Sequence, residues 1–404
     1  MANMLDYIDW RGDITFSRSE FNDIDNLIFS QLSYLDFNGM VPATDSTDSI
    51  DIISLSEKYF AEHRTGVEEI GIMVPDQIGI LLEKMARSAR FRNIRFSNYI
   101  NNINYEKELQ FSAVTITIDD GSSYIAFGGT DDTIVGWKED FNMSFMSVVP
   151  AQEEALRYLN IIGHKLDGGL RIGGHSKGGN LAVYAALHCD KELKKRFIKI
   201  YNNDGPGFSK KIIDTPEYAL IADRVKTIVP ESSIVGILME HEEKLSIVKS
   251  REKGLFQHNA FSWEVLGPSF LMAEERTSYS EISDLALRSW LADIDTEERV
   301  TFVDTLFDIL ESTDAKTFMD LNENKMNTAL SLIKTFKGLD DDKKEVMGNV
   351  IGALFKQNIK AAASSMFKDS DKKEDKEKKR DEKKKENKPK NRFGGKRYIT
   401  IKRV

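Results

Sequence analysis

The five residues 174–178, which read Gly-His-Ser-Lys-Gly, most constrain how this chain can fold. An apolar stretch beginning at Leu170 precedes them, and residues 179–186, rich in small side chains, follow. Glycines two positions before and after Ser176 permit a turn too tight for larger side chains. The pattern predicts a β-strand, a sharp turn that exposes the Ser176 hydroxyl, and an α-helix. The alternative is an ordinary strand-to-helix turn with a solvent-facing serine.

Strand-like and helical patterns alternate through the middle of the chain. Candidate strands lie at residues 113–118, 124–127, 170–172, 197–201, 225–229 and 245–248. The first two are joined by the turn-forming residues 119–122, which indicates a hairpin. Helical stripes separate most of the later strands, an order that favours a doubly wound, mostly parallel sheet. The fold class predicted from this order is α/β.

The two ends of the chain differ from the middle. Residues 1–110 look mixed and mainly helical, with helices expected over 21–35 and 76–90. From Thr296 the apolar spacing is purely helical. We therefore predict three parts: a domain over residues 1–290, a helical appendage over 291–367, and a charged tail over 368–404.

Charge is unevenly distributed along the chain. The tail holds 17 Lys and Arg against 8 Asp and Glu, a local charge of +9, which leaves −18 for residues 1–367 of the total of −9. Such a composition predicts disorder in the tail. The favoured interpretation is a solvating tail with no specific nucleic-acid binding. Weak attraction to anionic membranes through this tail is the alternative.

Targeting features point to the cytoplasm. The single cysteine, Cys189, excludes an internal disulfide and gives no sign of an oxidising compartment. The N-terminus lacks a basic segment followed by an apolar run, which argues against a signal peptide. No apolar stretch approaches the roughly 20 residues that cross a bilayer.

A serine hydroxyl needs a base to become a nucleophile, usually a histidine. In α/β-hydrolases the order along the chain is serine, acid, histidine. His241 and His258 lie far enough beyond Ser176 to fit this order. His258 follows the last candidate strand and is the predicted base, whereas His241 lies in an acidic, surface-like run. A structural histidine is the alternative for each.

Two acids fit the third position. Asp204 ends a candidate strand in a turn-rich segment, and Glu231 follows the next strand. Asp204 is the predicted acid, although an aspartate in a simple Asx-turn fits the same sequence. The oxyanion of the reaction needs two fixed N–H donors. We assign one to the backbone of Lys177, and Thr130 after the strand at 124–127 suits the other.

The residues named so far resemble the fungal-type class 3 lipases. The matching segments are Ala-Phe-Gly-Gly-Thr at 126–130, Trp137 with Asp140, and Gly-His-Ser-Lys-Gly-Gly at 174–179. The resemblance implies an α/β-hydrolase fold. It implies that Thr130 is the second oxyanion residue and that Asp140 orients its hydroxyl. It also implies that Asp131–Pro150 forms a lid over an acyl pocket.

The chain departs from that lipase pattern in two places. Gly128 stands where an arginine is usual, and Ser232–Gly236 carries no aspartate where class 3 lipases place the acid. Pancreatic-type lipases place the acid after the earlier strand, and the segment around Asp204 is similar to theirs.

A second resemblance is to a bacterial lipase-like family, the Mbeg-like group. It rests on residues 7–13, 21–27 and 257–258 and covers roughly residues 4–270. This resemblance supports the fold more than a substrate.

These observations predict a serine hydrolase that cleaves carboxylic esters, of an acyl, lipid or thioester kind, through Ser176, His258 and Asp204. No metal and no cofactor are implied. The alternative is a binding or scaffold module on the same fold. The absence of an aspartate from Ser232–Gly236, where class 3 lipases carry their acid, favours this alternative.

Overall fold

The computed structural model describes residues 2–63, 77–131, 133–143, 146, 148–313, 315–317, 320, 325–350 and 352. The predicted tail at 368–404 and most of residues 351–367 lie outside the described residues.

The centre of the molecule is an eight-stranded sheet whose strands lie side by side in chain order. They are β1 Ile50–Asp51, β2 Arg95–Asn104, β3 Leu109–Thr117, β4 Ser123–Phe127, β5 Leu170–His175, β6 Phe197–Asn203, β7 Val225–Pro230 and β8 Ser246–Val248. The pairs from β1 to β4 are antiparallel, and those from β4 to β8 are parallel. A short hairpin of β9 Val265–Leu266 and β10 Ser269–Phe270 lies outside this sheet.

Helices precede, connect and follow these strands. They are α1 Met4–Arg11, α2 Asp23–Leu32, α3 Ile52–Glu62, α4 Gln77–Arg87, α5 Ile134–Asn142, α6 Pro150–Lys165, α7 Lys177–His188, α8 Lys191–Arg196, α9 Lys210–Ile213, α10 Pro216–Ala222, α11 Ser278–Asp293, α12 Thr296–Glu311 and α13 Lys325–Gly338. A further helical stretch spans residues 341–350.

Apolar side chains bury both faces of the sheet in two separate cores. On one face, α6, α7 and α10 pack against the parallel strands, with Leu181, Ile172 and the buried Cys189 among the contacts. On the other face lie α1 to α4, which come before most of the strands. The sheet is therefore covered on both sides, as the α/β prediction requires. This mostly parallel sheet between two helical layers is an α/β-hydrolase fold.

The prediction for residues 1–110 was incomplete. The helices expected over 21–35 and 76–90 exist as α2 and α4, but the ten-residue strand β2 was not expected. Four of its residues are asparagine, which is depleted in strands. Its pairing along the whole of β3 outweighs that local preference.

Near the C-terminal end of the chain, α12 packs against α5. Val303 and Phe307 of α12 pack against Ile134, and the Ile134 N–H donates to Lys316 O at 2.9 Å. The predicted boundary at residue 290 falls within α11. The division into three parts stays a prediction.

No helix in the described part of the chain is long and apolar enough to cross a membrane.

Candidate active site

Ser176 occupies the sharp turn between β5 and α7. Its backbone has φ 56° and ψ −131°, a conformation rare for a residue with a side chain. A side chain at Gly174 would overlap the backbone of Gly178, and one at Gly178 would overlap the carbonyl of Phe127. The two glycines of the motif are therefore required by close backbone contacts.

The turn lies at the carboxyl edge of the parallel strands, where ligands bind in such sheets. Phe127 at the end of β4 pairs with Gly174, so the segment after β4 lies beside the turn. The Ser176 N–H donates to Asn203 O at 2.9 Å, which places Asp204 next to the same edge.

His258 and Asp204 form a hydrogen-bonded pair near Ser176. His258 Nδ1 lies 2.7 Å from Asp204 Oδ2, and the Asp204 carboxylate is buried. Because a carboxylate only accepts hydrogen bonds, Nδ1 carries the proton and Nε2 is left as the acceptor. That tautomer is the one a general base needs.

Three donors hold the Asp204 carboxylate. Besides His258, Ser233 Oγ donates to Oδ1 at 2.5 Å and the Gly236 N–H donates at 3.2 Å. Both lie in the segment where class 3 lipases carry their acid. Here the segment after β7 instead donates hydrogen bonds to Asp204, which follows β6. Asp204 itself has φ 52°, which aspartate tolerates better than most residues.

Ser176 Oγ and His258 make no hydrogen bond with each other in the part of the chain that the structure describes. Such contacts are commonly longer without substrate. The other two candidates lie elsewhere. His241 Nδ1 pairs with Glu243 at 3.1 Å in a buried cluster, so its predicted surface position was wrong. No described contact joins the side chain of Glu231 to His258.

The predicted oxyanion residues flank the turn. Lys177 is the first residue of α7, where backbone N–H groups have no partner within the helix. Thr130 follows β4, and its Oγ1 donates to Asp140 Oδ2 at 2.6 Å. The contact implied by the lipase resemblance is therefore present. The catalytic roles of these residues stay predictions.

Asp140 carries an unusual charge environment. Burial raises the pKa of its carboxyl to about 6, against the opposing effects of nearby Lys177 and the Thr130 hydroxyl. Its Oδ1 is buried and has no hydrogen-bond partner among the described residues. The Asp140 carboxyl is thus more easily protonated than that of an exposed aspartate.

The Mbeg1-like family matches residues 85–308 of the chain. The chain belongs to the Mbeg1-like family. The crystal structure of M37 lipase is similar at 16% identity with a TM-score of 0.34, covering 54% of this chain and 70% of that one. No curated protein matches the sequence.

The family match differs from the predicted extent of the resemblance. It begins at residue 85, within α4, and ends at residue 308, within α12. The match therefore includes α11 and most of α12. Both lie outside residues 4–270, the extent of the resemblance predicted from the sequence.

A small apolar cavity of about 90 Å³ opens beside Ser176. Its lining consists of Asp140, Met143, Ser176, Lys177, Pro206, Val235, Leu238 and Met239. A second cavity of about 20 Å³ shares Met143 and Met239 with it. The mostly apolar lining of the first cavity suits part of an acyl chain better than a polar group.

The segment expected to form a lid contains α5. The apolar side chains of Ile134 and Phe141 pack with α12, and Phe141 makes an edge-to-face contact with Phe307. Met143 does line the cavity beside Ser176. Phe145, which was expected to contribute to the lid, lies outside the described residues.

Sequence reasoning missed a second histidine at the site. His175 Nε2 lies 2.8 Å from the backbone oxygen of His258, and the two rings are 4.6 Å apart between centroids. Since a carbonyl only accepts, Nε2 is protonated, and Nδ1 accepts from the Tyr34 hydroxyl at 2.9 Å. Burial and the neighbouring His258 hold the pKa of His175 well below its usual range. The position of His175 directly before Ser176 was the only sign in the sequence that its side chain lies at the site.

No cluster of three or more potential ligands that could hold a metal ion occurs among the described residues.

Proposed function

We propose that this protein is a serine hydrolase that cleaves carboxylic esters of acyl or lipid groups, including thioesters. The observation that carries the proposal is the His258–Asp204 pair, with its buried carboxylate, at the sheet edge that holds Ser176. The strained turn at Ser176 and the apolar cavity beside it support the same conclusion.

The proposed reaction has two steps. Ser176 Oγ attacks the carbonyl carbon while His258 Nε2 takes its proton, and Asp204 holds the imidazole and stabilises its charge. The N–H groups of Lys177 and Thr130 donate to the oxyanion. His258 then protonates the leaving alcohol or thiol, and an acyl group remains on Ser176. Water, activated by His258, attacks that ester and releases the acid.

The first test is labelling with a fluorophosphonate probe, comparing the wild type with Ser176→Ala. We expect the wild type to label and to hydrolyse p-nitrophenyl esters, and Ser176→Ala to do neither. His258→Ala should lose several orders of magnitude in rate, as loss of a triad member does. His241→Ala is the matched control, because it also disrupts a buried histidine–carboxylate pair.

A binding module without turnover is the competing proposal. The observation in its favour is that Ser176 and His258 share no hydrogen bond in the described chain. A wild type that is folded, yet neither labels nor turns over any ester with or without detergent, would support the binding module. Equal losses in His241→Ala and His258→Ala would contradict the assigned base.

A further inference from the structure

The side chain of Lys177 is buried next to the proposed nucleophile. It is 1% exposed, and its Nζ donates to Gln110 O at 3.0 Å, to Gln110 Oε1 at 2.5 Å and to Glu139 Oε2 at 3.0 Å. An ammonium group has three donors, and all three are used. The residue that follows Ser176 is thus tied to β3 and to α5.

Glu139, which is fully buried, also accepts hydrogen bonds from two backbone N–H groups. Its Oε1 accepts from the Ala151 N–H at 2.8 Å, and its Oε2 accepts from the Gln110 N–H at 3.3 Å. The ion pair with Lys177 therefore lies at a junction of β3, α5, the start of α6 and the turn before α7.

Two short routes lead from this ion pair to Thr130. On one, Gln110 Nε2 donates to Gly129 O at 3.3 Å, directly before Thr130. On the other, Asp140 follows Glu139 on α5 and accepts from Thr130 Oγ1 at 2.6 Å. Lys177 and Thr130 are the two proposed oxyanion donors, so the ion pair connects both of them.

We infer that the side chains of Lys177, Glu139 and Gln110 are positioning groups that set the distance and angle between the backbone N–H groups of Lys177 and Thr130. The inference rests on the proposed function. An oxyanion hole works because its donors are fixed before charge develops. The N–H of Lys177 acts on the substrate, whereas its ammonium group acts through the backbone of the neighbouring elements.

A purely structural role would look different. A buried ion pair can often be replaced by neutral groups of similar volume without loss of stability, whereas removing one partner leaves a costly lone charge. If the ion pair were only a structural anchor, replacing it would change the free energy of unfolding and nothing else. If it positions the oxyanion donors, replacing it would also lower the rate of the chemical step in folded protein.

The experiment combines Lys177→Met and Glu139→Gln in one double variant, so that neither substitution leaves a lone charge buried. The double variant is compared with the wild type. The matched control is Lys138→Met. Lys138 directly precedes Glu139 on α5, its side chain is 9% exposed, and it pairs with Glu108 and Asp304 away from the turn. Thermal unfolding shows that each variant is folded. The readouts are kcat, KM and the inhibition constant of a trifluoromethyl ketone, which forms a tetrahedral oxyanion on the serine.

We expect the double variant to lose about 10²-fold in kcat, the size of one oxyanion donor, with KM changed less than about threefold. Binding of the trifluoromethyl ketone should weaken in parallel. Lys138→Met should keep kcat within about threefold of wild type, even with a similar drop in Tm.

Two results would overturn the inference while leaving the proposed function intact. One is an active wild type with a folded double variant of unchanged kcat. The other is an equal loss of kcat in Lys138→Met, which would indicate general loosening of α5. A wild type that neither labels nor turns over ester would overturn the proposed function, and this inference with it.

Discussion

At the scale of single residues, the site differs from the class 3 lipase pattern in which strand precedes the carboxylate that pairs with the histidine. Asp204 follows β6, and Ser233 and Gly236 after β7 donate hydrogen bonds to it. Asp204 Oδ2 thus pairs with His258, while Oδ1 is held by the segment that follows the neighbouring strand.

The two acids left open by the sequence can be separated by substitution. Asp204→Asn should lower kcat by about 10⁴-fold, because the amide favours the wrong histidine tautomer. Glu231→Gln should leave kcat within about threefold, since its side chain has no described contact with His258. Steady-state ester hydrolysis by folded variants measures both. The opposite ranking would assign the acid to Glu231.

The raised pKa of Asp140 predicts a pH-dependent stability. Its ordinary value is 3.8 and its folded value is about 6, so the folded state binds this proton more tightly than the unfolded state does. The stabilising effect of that proton is complete below about pH 4 and is lost as the pH rises to about 6.

Asp140→Asn removes this titration. We therefore expect the Tm of Asp140→Asn, relative to wild type, to increase from pH 4 to pH 6.5 and then level off. Thermal unfolding of both proteins in matched buffers provides the comparison. A difference in Tm that stays constant across this range would show that the carboxyl titrates normally.

At the scale of secondary structure, α5 is held from two sides. Lys177 binds Glu139 from the turn, and Phe307 of α12 packs against Phe141 from the opposite direction. These contacts make α5 part of the wall of the site in this structure, and the lid over residues 131–150 stays a prediction.

This packing can be tested on α12. Phe307 is buried, so Phe307→Ala should lower the free energy of unfolding by about 3–5 kcal/mol. Ile333 of α13 is 52% exposed, and Ile333→Ala should change it by less than about 1 kcal/mol. Urea unfolding followed by tryptophan fluorescence measures both. Equal effects would mean that α12 does not pack firmly on α5.

Local patterns in the sequence predicted those elements whose residues favour their own structure. The turn residues 119–122 predicted the hairpin of β3 and β4, and the glycines around Ser176 predicted the turn before α7. The strand β2 was missed because its asparagines disfavour a strand, and only its partner strand stabilises it.

The candidate site was predictable only in part for a related reason. Chain order pointed to His258 and Asp204, which the structure brings into contact. The partnership of Lys177 with Glu139 spans 38 positions, and no local pattern relates two charged residues that are buried together. Tyr34 and His175 are likewise joined only by the folded chain.

At the scale of the whole molecule, charge and packing divide the chain differently. The −18 charge of residues 1–367 and the +9 charge of the tail suggest two separate parts. Attraction of the tail to anionic membranes stays a proposal, because residues 368–404 lie outside the described structure. Within the described residues, by contrast, α12 packs against α5, and Asp140 of α5 lines the cavity beside Ser176.

The layer formed by α1 to α4 limits how the chain can be divided. The family match starts at residue 85, so it leaves out α1 to α3 and most of α4. Those helices cover Val114, Ile116 and Tyr124 on one face of the sheet. A fragment restricted to residues 85–308 would expose that apolar face to water and to other copies of itself. We therefore expect the segment 85–308, expressed without the preceding residues, to aggregate.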